Sequence, residues 1–317
     1  KLHFNQTDYS AIFHRDMIFS ANNSIIYQKE THMKTTAFIA MLGLAAPLAL
    51  ADNLKYEVFN PGHNSIFAVT SVIVEGDKEV MLVDSQFQRN DAETLVQKIK
   101  AIGKPLNTIY ISHGDPDFYF GLAPVIQAFP NARVIATPET VQHIKGNVIA
   151  KNDYWGPIMK ENAPRALVIP QAYAGKTLQV GSSHIEIRNR DNDPHRTYLW
   201  VPSTKTILGG INLVSGEHVW IADSQSPESR QQWQRTLNDM QKLKPKQVIP
   251  AHFIGNIGNG VSSIGFTQKY LSDFEHNAAA SSNSTELVAK MNQAYPGLGG
   301  TESLAISAKV IKGEMKW

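Results

Sequence analysis

The chain has 317 residues, 42% of them hydrophobic, and its 30 basic and 28 acidic side chains leave a formal charge of +2. This small charge, without a cluster of aromatic and arginine residues, argues against a nucleic-acid-binding protein. Because the sequence has no cysteine, disulfides, thiolate metal ligands, cysteine nucleophiles and lipid attachment to cysteine are excluded. The length suits one large domain or two modest ones.

An apolar run of 14 residues spans positions 37–50, which is too short for a comfortable membrane span. Met33 and Lys34 precede it, and Ala49-Leu50-Ala51 ends it with a small-x-small pattern. These features are typical of a secretory signal peptide, with a buried N-terminal helix as the alternative. We therefore expect residues 1–32 to be an upstream extension that is not native, 33–51 to be a signal peptide, and 52–317 to be one exported domain, periplasmic or secreted, without stable membrane insertion.

The first half of this domain predicts strands that later alternate with helices. The predicted strands are YEVF (56–59), SIFAVTSVIVEG (65–76), EVMLVDS (79–85), TIYIS (108–112) and ARVIAT (132–137). Helical periodicity covers 91–102, a further helix starts near Tyr119, and 138–162 is predicted as a helix with an irregular stretch at 152–157.

The second half repeats this order of strands first and helices later. Its predicted strands are ALVIP (166–170), TLQV (177–180), HIEIRN (184–189), TYLWVP (197–202), KTILGG (205–210), QVIPAHF (247–253) and a closing LAISAKVI (304–311). An amphipathic helix is predicted at 227–243, and helices fill most of 265–294. Two such halves packed sheet to sheet give an α+β fold, a four-layer αββα sandwich.

The strongest local signal for chemistry is ISHGDPDFYFG, residues 111–121. His113, Asp115 and Asp117 are spaced by two after a buried strand, so in an extended loop their side chains can converge. Nitrogen and oxygen ligands of this kind suit zinc or Fe(II). The alternative is a polar turn in which the two aspartates cap the next helix.

Two further histidines lie next to predicted strands. His195 stands just before TYLWVP, and His252 directly follows QVIP. Either alone is more often an ordinary loop histidine, but three histidines at strand ends can meet at one rim of a sheet sandwich. This shared position favours one common site for His113, His195 and His252.

The series NSIFAVTSVIVEG, LVDS, ISHGDPDFYFG, PHRTYLWVP, ILGG and VIPAHF resembles the metallo-β-lactamase-fold hydrolases over roughly residues 56–275. That family carries the pattern H-x-H-x-D-H, a distant histidine, a bridging aspartate after a strand and a final histidine after a strand. The resemblance implies the αββα sandwich, with one or two metals at the rim between the sheets.

The resemblance assigns His113, Asp115 and His195 to the first metal, although Asp115 stands where the family usually has histidine. It assigns Asp117 to a second metal and to the nucleophilic water, and His252 to the last second-metal ligand. Phe118 stands where the family has another histidine and cannot ligate. The bridging aspartate is expected near Gly209–Asn212, where only Asn212 is polar. Asp84 matches a structural aspartate under the metal loop.

These departures predict one divalent metal, zinc or iron, with a weak or absent second site. The main interpretation is an exported hydrolase of a small ester, lactone, amide or phosphoester, in which Asp117 and His252 assist catalysis. An iron-dependent oxidoreductase and a non-catalytic binding protein stay open as alternatives. Weaker pocket candidates are His218, Asp223 and His63, with a turn and helix N-cap as the alternative role of Asp223. An apolar pocket wall could include Tyr119, Tyr154 and Trp155, although aromatic residues at such positions are more often core. The residues interpreted as structural or surface residues are His143, His184 and His276.

The C-terminal tail lies largely beyond the shared core. Covering the pocket, making a homodimer contact and capping a sheet edge are three roles that the sequence leaves open. The expected partner is a small-molecule substrate, with no nucleic acid.

Overall fold

Two β-sheets form the scaffold of residues 53–317, the part of the chain that the computed structural model describes. The predictions for residues 1–52 lie outside the described residues. In spatial order the first sheet contains β1 (Lys55–Phe59), β2 (Ser71–Glu75), β3 (Val80–Val83), β4 (Leu106–Tyr110), β5 (Arg133–Ala136) and β6 (Gln171–Ala172). β1, β2 and β3 pair antiparallel, whereas β3 to β6 pair in parallel.

The second sheet and a small parallel pair complete the strands. The second sheet has the spatial order β12 (Gln247–Val248), β10 (Thr206–Leu208), β9 (Tyr198–Val201), β8 (Ser183–Arg188) and β7 (Thr177–Val180). The pair consists of β11 (Val214–Ser215) and β13 (His252–Phe253), with Val214 opposite His252. This pair carries His252 into the site described below.

The helices fall into two groups along the chain. The first group is α1 (Arg89–Ile102), α2 (Pro116–Tyr119), α3 (Leu122–Ala128) and α4 (Pro138–Met159). The second group is α5 (Pro227–Lys242), α6 (Ser262–Ala279), α7 (Ser284–Ala294) and α8 (Thr301–Ile311). Among the described residues no helix is both long enough and apolar enough to cross a membrane.

Three apolar clusters show the order of the layers. Val72 and Val74 of β2 pack with Leu199 and Leu208 of the second sheet, so the two sheets face each other. Ile73, on the opposite face of β2, packs with residues of α1, α3 and α4. A third cluster joins the outer face of the second sheet to α5, α6, α7 and α8. The predicted αββα sandwich is therefore confirmed, and burial on both faces explains the nearly continuous apolar strands.

Several local predictions are wrong. The strand predicted at 247–253 is divided between β12 and β13, which belong to different sheets. LAISAKVI forms most of α8, because Leu304 and Ala308, four residues apart, share one buried helix face. Residues 166–170 form no strand, and pairing with β5 begins at Gln171. The helix α4 continues through the stretch predicted to be irregular, with Pro157 in its last turn.

Candidate functional site

Asp84 and Ser112 anchor the loop that follows β4. Asp84 has a φ of 63°, in the left-handed region that aspartate tolerates. Its carboxylate accepts hydrogen bonds from Ser112 N–H at 2.7 Å and Ser112 Oγ–H at 2.6 Å. Gly210 N–H donates to the same Oγ at 2.7 Å. Burial raises the pKa of Asp84 to about 8, although the bonds from Ser112 act in the opposite direction. This network holds the start of the His113 loop against two other loops.

The first side-chain cluster beyond this anchor is centred on Asp115. Asp115 Oδ2 lies 3.5 Å from His113 Nδ1, and Asp115 Oδ1 lies 4.0 Å from Nε2 of His143 on α4. Burial raises the pKa of Asp115 well above its ordinary value, and the negative charges of Asp223 and Asp117 add to this. Burial also lowers the pKa of His113 well below its ordinary value, which keeps the ring neutral, the form that binds metals.

The second cluster is a carboxylate–imidazole–carboxylate series. Nε2 of His252 lies 3.0 Å from Asp117 Oδ2, and its Nδ1 lies 3.7 Å from Oε1 of Glu217. Burial alone would lower the pKa of His252, but the hydrogen bond and charge of Asp117, with the charge of Glu217, raise it overall. Burial raises the pKa of Glu217, and Asp117 adds to this effect. Two acids therefore hold one imidazole from both sides.

Phe118 lies between the two clusters. Its ring is fully buried, and its centroid lies 5.2 Å from the ring of His113 and 5.8 Å from that of His252. Where the family pattern has a histidine, an aromatic hydrocarbon therefore contacts an imidazole from each cluster. It supplies apolar packing and no ligand atom.

His195 and Asn212 are placed differently from the other predicted residues. His195 is exposed, its backbone N–H donates to Asp193 Oδ1 at 3.2 Å, and its ring centroid lies 6.0 Å from that of His143. Asn212 Nδ2 donates to the backbone oxygen of Arg196 at 3.0 Å, so this amide supports the neighbouring strand. His195 thus lies beside the Asp115 cluster through His143, whereas Asn212 is engaged with backbone.

Residues of both clusters line one cavity of about 230 Å³. Its lining includes Asp115, Asp117, Glu217 and His252. Among the weaker sequence candidates, His63 lines it from an exposed turn, and His218 lines it while its Nδ1 lies 2.9 Å from the hydroxyl of Tyr270. Asp223 and Trp155 also line the cavity, whereas Tyr119 is buried in the core and Tyr154 is largely exposed.

A sequence model of the metallo-beta-lactamase superfamily matches residues 65–252, a span that includes both side-chain clusters. The chain belongs to the metallo-beta-lactamase superfamily. Members of this superfamily are generally metal-dependent hydrolases, typically with divalent metals such as zinc, although it also includes proteins that are not enzymes.

Individual relatives are distant. The uncharacterized protein YobT of Bacillus subtilis (strain 168) is 27% identical over 89 residues, which are 28% of this chain and 38% of that protein. The chain therefore matches well under half the length of this curated relative. A metallo-beta-lactamase family protein from Thermus thermophilus is similar in structure, with a TM-score of 0.54, 16% identity, and coverage of 81% of this chain and 91% of that one. A metallo-beta-lactamase from Pontibacter korlensis has a TM-score of 0.48, 17% identity, and coverage of 69% and 93%.

The residues present fit a divalent metal in donor type and in the spacing of one pair. Two ligands of a tetrahedral zinc ion, with bonds of about 2.0–2.2 Å, lie roughly 3.3–3.6 Å apart. The 3.5 Å between His113 Nδ1 and Asp115 Oδ2 falls in this range, although Nδ1 also accepts the backbone N–H of Asp115 at 3.2 Å. Within residues 53–317, however, no group of three or more His, Asp or Glu side chains is already arranged around one point for a metal ion. The potential metal donors of the described residues therefore come together in pairs.

Sequence reasoning did not identify two residues of these clusters. His143 was expected to be a structural or surface residue, yet Gly114 leaves room for its ring, because a Cβ there would lie 2.5 Å from Cδ2 of His143. Glu217 precedes His218 in the loop after β11, and β11 pairs with the strand that carries His252. Only this strand pair brings Glu217 to His252, so no local sequence pattern could have found it.

Proposed function

We propose that the chain is an exported, single-metal hydrolase. The observation that carries this proposal is the Asp117–His252–Glu217 series, which shares one cavity with Asp115 of the His113–Asp115 pair. A buried acid and a buried imidazole beside a metal-type donor pair are the groups that hydrolysis of an acyl or phosphoryl bond requires.

His113, Asp115 and His195 would hold the metal, and His143, which faces Asp115, is a fourth candidate ligand. A divalent ion bound there supplies Lewis-acid polarisation of the substrate and a more acidic bound water. Asp115 replaces a neutral imidazole of the family pattern, so its negative charge makes a zinc site less electropositive. Such an ion acidifies water less than a three-histidine zinc, for which the water pKa is about 7.

The chain's own acids and bases then carry more of the proton transfer. Asp117 lies at the cavity surface and takes the proton of the attacking water as general base. His252, whose pKa is raised by Asp117 and Glu217, faces Asp117 through Nε2 and orients this carboxylate toward the water. Glu217 orients the ring through Nδ1.

The proposed substrate is a small ester, lactone, amide or phosphoester. The cavity of about 230 Å³ is below the roughly 300–1,000 Å³ of drug-sized ligand pockets, which favours a small molecule. Export rests on the Met33–Ala51 pattern, and mass spectrometry of the protein from a periplasmic extract tests it. A mature N-terminus at Asp52 is expected, and an intact Met33 in that extract would contradict cleavage.

The decisive experiment measures metal content and hydrolysis in the same samples. The purified chain is loaded separately with zinc and iron, analysed by mass spectrometry, and assayed with 4-nitrophenyl acetate, a lactone and bis(4-nitrophenyl) phosphate. We expect about one equivalent of metal and metal-dependent hydrolysis of one substrate class. Asp115→Ala and His195→Ala should remove both together.

His252→Ala should retain most of the metal while it lowers turnover, and Asp117→Asn should lower kcat by about 10²–10⁴-fold. His184→Ala is the matched control, because this histidine is exposed on β8. If His252→Ala empties the site, the ligand assignment is wrong. If the wild type binds neither metal after reconstitution, the hydrolase proposal fails.

A non-catalytic binding protein is the second candidate function. Phe118 at a ligand position and Gly210 in the stretch where the bridging aspartate is expected favour it. Metal binding without hydrolysis of any substrate class would support this interpretation. Oxygen consumption by the iron-loaded protein, without hydrolysis, would instead support the iron-dependent oxidoreductase.

A further inference from the structure

The cavity beside Asp117 has an aromatic wall built from distant parts of the chain. We define this aromatic wall as Phe67, Trp155, Trp220 and Trp317, all of which line the cavity. Phe67 precedes β2, Trp155 lies on α4, Trp220 lies between β11 and α5, and Trp317 follows α8. Four of the chain's five tryptophans line this cavity, because Trp233 does so as well. Trp155 and Trp233 also belong to the buried core, whereas Trp220 and Trp317 are half-buried at the cavity.

Asp223 holds two of these indoles with one carboxylate. Trp317 Nε1–H donates to Asp223 Oδ1 at 2.8 Å, and Trp220 Nε1–H donates to Asp223 Oδ2. The two ring centroids lie 5.0 Å apart with an interplanar angle of 71°, an edge-to-face arrangement. Both rings are half-buried rather than enclosed. Their polar atoms are thus satisfied by Asp223, and their remaining open surface is apolar.

Trp317 also contacts α4. The ammonium of Lys151 lies 4.5 Å from the Trp317 ring centroid, and the Tyr154 ring lies edge-on at 6.3 Å. Tyr154 in turn contacts Trp155, whose ring meets that of Phe67 at 5.1 Å. Ring contacts therefore continue from Phe67 through α4 to Trp317 and Trp220. Trp317 therefore contacts both α4 and Trp220.

The charges in the cavity disfavour an anionic ligand, so among the proposed substrate classes they favour the neutral ester, lactone or amide over the phosphoester. Five carboxyl groups line the cavity, against one lysine, Lys151, whose ammonium already lies over the Trp317 ring; they are those of Asp115, Asp117, Glu217, Asp223 and Glu302. Asp117 and Glu217 face His252, and Asp223 accepts two indole N–H groups, so these carboxyl groups already have partners and do not require a cationic ligand. Aromatic faces bind flat apolar groups through area burial and ring–ring contact, without a need for ligand charge. A neutral aromatic ligand is therefore the best match to this surface.

We propose that the aromatic wall binds a neutral, planar aromatic group of the substrate, and that Trp317 determines this specificity. This inference rests on the proposed function in one respect, because it assumes that the bond to be hydrolysed lies next to Asp117 and His252. Binding of the aromatic group itself does not depend on hydrolysis, so the two can be tested separately.

The binding test uses two neutral alcohols that cannot be hydrolysed. Isothermal titration of the zinc-loaded chain with 4-nitrobenzyl alcohol and with cyclohexylmethanol compares an aromatic with a saturated ring. We expect the aromatic alcohol to bind the wild type at least several-fold more tightly. Trp317→Ala should weaken its binding by about tenfold, the loss of an aromatic pair plus buried area. Equal dissociation constants for the two alcohols, or an unchanged constant in Trp317→Ala, would overturn the inference.

Two further variants separate the aromatic face from its anchor. Trp317→Phe keeps a ring but loses the hydrogen bond to Asp223, so its affinity should fall between those of the wild type and Trp317→Ala. Trp200→Phe is the matched control, because this buried tryptophan does not line the cavity and its replacement should leave the affinity unchanged. If Trp200→Phe weakens binding as much as Trp317→Phe does, the effect is general and the assignment to the wall is wrong.

The kinetic test separates this inference from the proposed function. The ratio of kcat/KM for benzyl acetate to that for ethyl acetate should fall about tenfold in Trp317→Ala, mainly through KM. Hydrolysis without an aromatic preference in the wild type would overturn the aromatic wall alone. Aromatic binding that depends on Trp317, in a metal-loaded wild type that hydrolyses no ester, lactone, amide or phosphoester, would support the wall and overturn the hydrolase proposal.

Discussion

Ser112 joins three loops through a single hydroxyl, and its replacement by alanine is the sharpest stability test that the structure offers. In the wild type this hydroxyl donates to Asp84 Oδ2 at 2.6 Å and accepts the N–H of Gly210 at 2.7 Å. Ser112, Asp84 and Gly210 N–H lie in the interior, where water cannot replace a lost partner. Ser112→Ala therefore removes two buried hydrogen bonds and leaves two polar groups without that partner.

The expected cost follows from those two groups. A buried backbone donor left without a partner costs about 1–3 kcal/mol, and loss of a hydrogen bond to a neutral carboxyl group costs about 0.5–1.5 kcal/mol. Below its pKa of about 8, Asp84 is such a group, and it retains the bond from Ser112 N–H at 2.7 Å. Together these effects predict that Ser112→Ala lowers the free energy of unfolding by about 1.5–4.5 kcal/mol, a large part of the roughly 5–15 kcal/mol typical of folded proteins.

Urea denaturation followed by circular dichroism measures this change, with the free energy of unfolding extrapolated to water. Thr94→Ala is the control, because it deletes a hydroxyl that bonds to Asn90 O on the exposed face of α1. We expect the control to change stability by less than about 0.5 kcal/mol. A loss below about 1 kcal/mol in Ser112→Ala would refute the argument that this hydroxyl ties the loops together.

Three further predictions concern the anchor and the Asp115 cluster. Burial raises the pKa of Asp84 to about 8, so the native state retains a proton that the unfolded state loses near pH 4. The ionisation of this group therefore lowers the free energy of unfolding as the pH rises from about 4 to 8. Asp84→Asn, which also tolerates the left-handed backbone, should give a shallower fall in urea titrations from pH 5 to 8, and an unchanged slope would contradict this. His143→Ala should weaken zinc binding at least tenfold in competition with a chromophoric chelator, whereas His184→Ala should not; equal affinities would remove His143 from the site. Gly114→Ala should weaken zinc binding in the same direction, because its Cβ would lie 2.5 Å from Cδ2 of His143, and wild-type affinity would show that the ring has room to move.

Local sequence patterns determined much of the scaffold. Continuous apolar runs such as VIV (72–74) and VMLV (80–83) predict strands buried on both faces, and the structure has β2 and β3 there. Apolar spacing likewise predicts α1 and α5, because Leu95 and Ile99, and Trp233 and Leu237, recur at helical intervals on one face. The prediction failed where the apolar residues fitted both the two-residue period of a strand and the 3.6-residue period of a helix. Leu304, Ile306, Ala308 and Val310 alternate like a strand, and packing of Leu304 and Ala308 into one cluster decided for a helix.

For the candidate site, the sequence by itself determined which donors come close together in the chain. His113, Asp115 and Asp117 follow one strand, and their spacing limits how far apart they can lie. The sequence also showed the departures, since Asp115 and Phe118 stand at positions where the family pattern has histidines.

Only the tertiary structure decided which distant residues complete the clusters. His143 approaches Asp115 because α4 packs over Gly114, and Glu217 approaches His252 because β11 pairs with β13. Trp317 contacts Asp223 across a sequence separation of 94 residues. Such contacts depend on how helices and strands pack in three dimensions. Local hydrophobic patterns specify which face of an element is buried, but they do not specify which partner lies against it.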